Sequence, residues 1–190
     1  MIFFFCFESS VKGKMGGSDD KYRKAIMTKF YPEIKQKHRF EYIPLNGKAN
    51  YKNLSAKVKA KLHEANKSSS KEYRVILFLD TDKGNIDSEN KNEDIKSFCE
   101  KCDYSLVWFN PDVESVLLRY MTPKGQSFKK PASSHEKVEK AKQFAACFMN
   151  KRISKSEMTI LYVEDVNRQN NCSNLLSVLD SVFHSCGLLP

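Results

Sequence analysis

The segment Tyr73-Arg-Val-Ile-Leu-Phe-Leu-Asp80 constrains this chain most. It is a near-continuous apolar run of strand length that stops at an acid. A strand with one face in water alternates apolar and polar residues. An uninterrupted run needs cover on both faces, as a central strand of a parallel sheet has. Residues 2–7, Ile-Phe-Phe-Phe-Cys-Phe, are aromatic and β-branched and predict a buried first strand. Residues 39–45 alternate and predict a second strand; Tyr104–Phe109 predicts a fourth. The intervening stretches read as helices: Ser18 to Pro32 with Asp19 and Asp20 in its first turn, Asn50 to Ala65, and Glu93 to Cys102. Residues 81–90 read as a polar loop. Asn110-Pro111 reads as an N-cap followed by proline at the first helical position, with the helix running to Met121. Beyond a loop at 122–133, helices are expected at 134–152 and 173–184, and a fifth strand at 158–163. Strands alternating with helices predict an α/β domain. It is a three-layer, Rossmann-like arrangement, with a central, mostly parallel sheet of four to five strands flanked by helices. With 190 residues and neither repeat nor linker, one domain is expected over 1–190, its part from about 123 to 190 helical.

The apolar start ends at Glu8 and has no basic flank, unlike a signal peptide. No run approaches the ~20 apolar residues of a membrane span. Six cysteines lie in or beside apolar segments, as reduced thiols do, so a cytoplasmic protein is expected. The pair Cys99-Glu-Lys-Cys102 has no second pair and no clustered histidines, and it ends a helix before a strand. Structural zinc and redox motifs have other contexts.

The formal net charge is +9, but it is unevenly spread. Residues 1–70 carry 15 basic and 6 acidic side chains, residues 71–122 carry 7 and 11, and residues 123–190 carry 10 and 6. The acidic middle holds most of the most suggestive constellation: Asp80, Asp82 and Glu114. Ligands of open α/β sheets sit beyond the carboxyl ends of the strands. Glu8 closes the first strand, Asp80 and Asp82 close the third, and Glu114 opens the helix after the fourth. Carboxylates gathered there repel one another unless a cation neutralises them. Mg2+ or Mn2+ prefers oxygen ligands of this kind and can activate water at a phosphoryl group. Acids at strand ends also form turns and cap helices, and that reading stays open for each residue taken alone.

The basic flanks suit a polyanion. Lys12 and Lys14 lie in the glycine loop Gly13-Lys-Met-Gly-Gly17, which lacks the P-loop spacing. Lys52 and Lys57 lie on the basic helix, and Lys83 follows Asp82. These five are the candidate nucleic-acid contacts; a solvated surface explains them as well.

The order of these motifs resembles the Toprim superfamily, and within it the RloB/AbiLii-like proteins of phage defence, relatives of the overcoming-lysogenization-defect nucleases. The carriers are Glu8 at a strand end, Ser18-Asp-Asp-Lys-Tyr22 entering a helix, the strand ending Asp80-Thr-Asp82, and Asn110-Pro-Asp-Val-Glu114 before an apolar helix. A weaker echo is Asn171-Cys-Ser-Asn174 before the last helix. Where the family has glycine after the first Glu, this chain has Ser9. The resemblance implies a Toprim-like domain cleaving phosphodiester bonds of DNA or RNA with Mg2+ or Mn2+. Asp80 and Asp82 would hold the metal, Glu8 would be ligand or general base, Glu114 would complete the site, and Lys83 would steady a phosphate. It also implies an ATPase partner, of the AAA or ABC type, and leaves a homo-oligomer open.

Two other readings compete. Asp80-Thr-Asp82 imitates the Asp-x-Asp of haloacid-dehalogenase-like phosphatases, with Glu164-Asp165 as a second acidic motif. A non-catalytic subunit binding nucleic acid or an ATPase would use the acids only as caps.

Overall fold

All six side chains of Ile2–Phe7 (β1) are buried, as an apolar run without alternation requires. The computed structural model describes residues 1–8, 18–65, 72–82, 86–121 and 172–190, with 133, 135–136, 139–140, 143 and 154–156 between them. After β1 come α1 (Ser18–Phe30), α2 (Pro32–Lys37), β2 (Arg39–Pro44), a 3-10 helix (Lys48–Asn53) and α3 (Leu54–Ala65). Then follow β3 (Tyr73–Asp80), α4 (Ile86–Cys102), β4 (Ser105–Asn110), α5 (Val113–Met121), β5 (Cys172–Ser173) and α6 (Leu175–Ser185).

The fold is α/β. Four parallel strands stand in the order β2-β1-β3-β4, and the two-residue β5 adds an antiparallel edge. The register puts Phe7 beside Phe78 of β3 and beside Pro44 of β2, so the carboxyl ends of three strands share one rim.

Because successive strand residues point to opposite faces, β1 splits into two cores. Phe3, Phe5 and Phe7 join Ile76, Phe78, Val107 and Phe109 under α1, α2, α5 and α6. Ile2, Phe4 and Cys6 join Val75, Leu77 and Leu79 over α3 and α4. Phe78 is the hinge of the first core, its ring centroid 4.8 Å from that of Phe7 and 5.1 Å from that of Phe5. Arg23 of α1 is only 1 % exposed, its guanidinium 4.3 Å from the Tyr42 ring centroid and stacked above Phe5 and Phe7 as well. Cation–π attraction of this kind offsets part of the cost of burying a charge.

Several boundaries differ from expectation. α1 stops at Phe30, and Pro32 instead starts α2 after Tyr31, because a missing N–H does no harm in a first helical turn. The polar stretch expected as loop to residue 90 enters α4 at Ile86. Its first turn carries Asp87 and Glu89, which favour a helix N-terminus, and its outer face is in water, so no apolar period marks it. Asn110 is not the cap of α5. Its bond to Pro111 is cis, and Asp112 is the cap, its Oδ1 accepting the Ser115 N–H at 2.8 Å. The strand expected at 158–163 lies outside the described residues, whereas the described positions within 134–152 are helical. Asn174, from the weak C-terminal echo, has a structural task. Its side chain accepts the Trp108 N–H at 2.7 Å and donates to the Leu106 carbonyl at 3.1 Å, continuing the ladder along β4. Among the described residues, no helix is long and apolar enough to cross a membrane.

Candidate functional site

The turn after β2 builds one wall of the rim. Leu45 N–H donates to the Phe7 carbonyl and Gly47 N–H to the Glu8 carbonyl, both at 2.8 Å. Asn46 and Gly47 take positive φ angles of 62° and 109° to make this sharp return. Only glycine adopts the second conformation without strain. The chain then enters the 3-10 helix at Lys48, directly over the end of β1.

Lys48 is 7 % exposed. Its Nζ donates to the Asp80 carbonyl at 2.6 Å and to Asp82 Oδ2 at 3.2 Å. The Trp108 ring centroid lies 5.8 Å from the ammonium. The second wall is the segment leaving β3. Thr81 N–H donates to the Phe109 carbonyl at 2.8 Å, and Asp82 N–H to the Pro111 carbonyl at 2.9 Å. Thr81 Oγ1 donates to Asn110 Oδ1 at 3.1 Å, and Asn92 of α4 donates to the Thr81 carbonyl at 2.8 Å. Asp82 therefore sits in a left-handed conformation, φ 50°, which aspartate tolerates. The third wall is the start of α5, whose Val113 N–H donates to Asp80 Oδ1 at 3.0 Å.

The acids sense one another. Burial, then the charges of Glu114, Asp112 and Glu8, push the Asp80 carboxyl up to about 8, against a smaller downward pull from the Val113 N–H. Burial, then Asp82, also raise Glu8, while the Lys48 charge and the N–H groups of Asp80 and Lys48 pull it down. Glu8 Oε2 is buried with no hydrogen-bond partner among the described residues.

Of the predicted site residues, Glu8, Asp80, Asp82 and Glu114 thus border one rim. Among the described residues, however, no three His, Cys, Asp or Glu side chains stand ready to hold a metal ion. A lysine ammonium, not an open space, lies against Asp82. Of the predicted nucleic-acid contacts, Lys12, Lys14 and Lys83 lie outside the described residues. Lys52 is exposed beside the Tyr51 ring. Lys57 spends its ammonium on the carbonyls of Pro44, at 2.7 Å, and Leu45, at 3.3 Å, capping the end of β2. Glu164 and Asp165 also lie outside the described residues.

Two residues were not singled out by the sequence. Lys48 reads there as one more base of the basic helix 48–61, which could follow a nucleic-acid backbone or simply face water; the signal was Asn46-Gly47, a turn pair directly after a strand, which returns the next residue to the strand-end rim. Asp112 was eclipsed by the Asn-Pro pair before it. Comparison with protein-family models, with curated proteins and with solved structures finds no match to this chain.

Proposed function

We propose that the chain is a Toprim-like, RloB-related nuclease that cleaves phosphodiester bonds of DNA or RNA at the strand-end acids with Mg2+ or Mn2+. The observation that carries this reading is that Glu8, Asp80, Asp82 and Glu114, from two strand ends and one helix start, lie near enough for their charges to act on one another, with the buried Lys48 beside Asp82. The donor set is entirely carboxylate oxygen, which suits a hard divalent ion and no soft one. Glu8 Oε2, without a hydrogen-bond partner among the described residues, and the Asp80 carboxyl, raised by burial and by its acidic neighbours, mark a place where a cation would favour the ionised acids. Asp80 and Asp82 would hold the ion, with Glu8 as ligand or general base and Glu114 completing the set. Such an ion would supply Lewis-acid stabilisation of the growing phosphoryl charge.

The residues of this chain do the rest. The Thr81 and Asp82 N–H bonds fix the Asp-x-Asp segment before substrate arrives, which is the preorganisation that electrostatic catalysis needs. The half-buried Glu8 carboxyl, raised first by burial and then by Asp82, would take a proton from an attacking water. The basic 1–70 segment would draw the polyanion to the rim. A cytoplasmic setting and an ATPase of the AAA or ABC type as partner belong to the same reading.

The test is incubation of pure protein, alone and with a co-encoded ATPase, with supercoiled plasmid and with tRNA in Mg2+ or Mn2+. Cleavage that disappears in Asp80→Asn is expected. Absence of cleavage under every condition, with hydrolysis of p-nitrophenyl phosphate instead, would transfer the site to the phosphatase reading.

A further inference from the structure

We infer that Lys48 is the built-in counter-ion of the acidic rim, holding its carboxylates in the metal-free protein and competing with a divalent cation for them. The second half of this statement rests on the function proposed above; the first half stands without it.

Lysine is almost never buried without a partner, because its compact ammonium loses strong hydration. Lys48 is buried, and both acceptors bonded to its Nζ belong to the end of β3: the Asp80 carbonyl and Asp82 Oδ2. Its charge also lowers Glu8, whose own carbonyl anchors the turn that carries Lys48 through the Gly47 N–H. The main chain of Glu8 thus holds the turn that brings Lys48 near the Glu8 carboxyl. Lys57 makes a useful contrast: among the described residues its ammonium meets main-chain carbonyls at the end of β2 and no carboxylate. It is a cap, whereas Lys48 is paired to charge.

A divalent ion held by Asp82 would share that carboxylate with the Lys48 ammonium, and two cations on one carboxylate repel each other. That repulsion weakens binding of the ion for as long as Lys48 keeps its place.

The experiment is a charge-coupling cycle read by thermal unfolding in EDTA, together with Mn2+ titration by calorimetry. The proteins are wild type, Lys48→Met, the pair Glu8→Gln/Asp82→Asn, and the triple variant. Lys48→Met is expected to lower the Tm by about 2–5 °C, by leaving the Glu8 and Asp82 carboxylates without their cation. That drop should at least halve when Glu8 and Asp82 are already neutral. Mn2+ should bind Lys48→Met roughly tenfold more tightly than wild type, the equivalent of removing one modest repulsion. An equal drop in both backgrounds would reduce Lys48 to packing and overturn the inference. So would Mn2+ that binds wild type and binds Lys48→Met no more tightly. If Mn2+ binds neither protein, the cation-dependent function fails, and the melting cycle alone decides the role of Lys48. Should Lys48→Met fail to fold, folding of the triple variant supports the counter-ion role and its failure contradicts it.

Discussion

The carboxylate of Asp80 accepts the Val113 N–H at 3.0 Å, so the last residue of β3 holds the first residue of α5. One side chain therefore serves the scaffold and the chemistry at once. Its two substitutions should separate those roles. Asp80→Asn keeps an oxygen for Val113, whereas Asp80→Ala leaves that N–H without it. The Asn variant should be more stable than the Ala variant by about 1–2 kcal/mol, the usual worth of such an acceptor. Urea unfolding of the two proteins at one pH measures this. Both should lose metal-dependent cleavage.

The raised Asp80 carboxyl makes stability depend on pH in a definite direction. Unfolded, this group titrates near 3.8; folded, near 8. Between those values the folded state holds a proton that the unfolded state releases, so stability is present at the acid end and is lost as pH rises to about 8. The slope contributed by this one group is at most about 1.4 kcal/mol per pH unit. Glu8, also raised, acts in the same sense. In EDTA, wild type should be more stable at pH 5.5 than at pH 8, and Asp80→Asn should lose most of that difference. Chemical denaturation at both pH values checks it; an unchanged difference in Asp80→Asn would place the dependence elsewhere.

Gly47 sits at φ 109° and ψ 145°, a region essentially closed to residues with a side chain. A Cβ there would meet only Asn50 Nδ2 at 3.8 Å, so space is not the obstacle. Gly47→Ala should cost about 1–3 kcal/mol through backbone strain alone. Because this turn carries Lys48 into the rim, the same change should weaken the Lys48–Asp82 pair. A fall in the denaturation midpoint, with Lys48 gaining reactivity towards an amine-labelling reagent, is the expected pair of results.

The Cys99–Cys102 pair bears on the zinc and redox readings. Cys99 is buried, and its thiol is pushed up to about 12 by burial first and by Cys102 next. Cys6 is raised further, again mainly by burial. Neither presents thiolate at neutral pH, and thiolate is the reactive and metal-binding form. Iodoacetamide at pH 7.5 should modify Cys102 and Cys186 in the native protein long before Cys6 or Cys99, as peptide mass spectrometry would read.

Much of this fold is legible in the chain because its central strands are covered on both faces. Ile2–Phe7 and Tyr73–Asp80 could hardly be anything but inner strands, and their acidic ends follow. What the pattern could not carry was set by contacts distant in sequence. Lys48 looks like its basic neighbours until the Leu45 and Gly47 N–H groups dock the turn onto β1. The start of α4 faces water and has no apolar period to announce it. β5 pairs only two residues, too few to alternate. Asp112 became the cap because Asp82 and Thr81 bond to the Pro111 carbonyl and Asn110 side chain, tying those residues to the sheet rather than to the helix.

The central claim is that the strand-end acids take a divalent cation. Calorimetric titration of Mn2+ into metal-free wild type and into Asp80→Asn at pH 7.5 tests it most directly. One saturable site in wild type, weakened at least tenfold in Asp80→Asn, is the predicted result. Titration heats that show no binding, or a site of equal strength in both proteins, would contradict it.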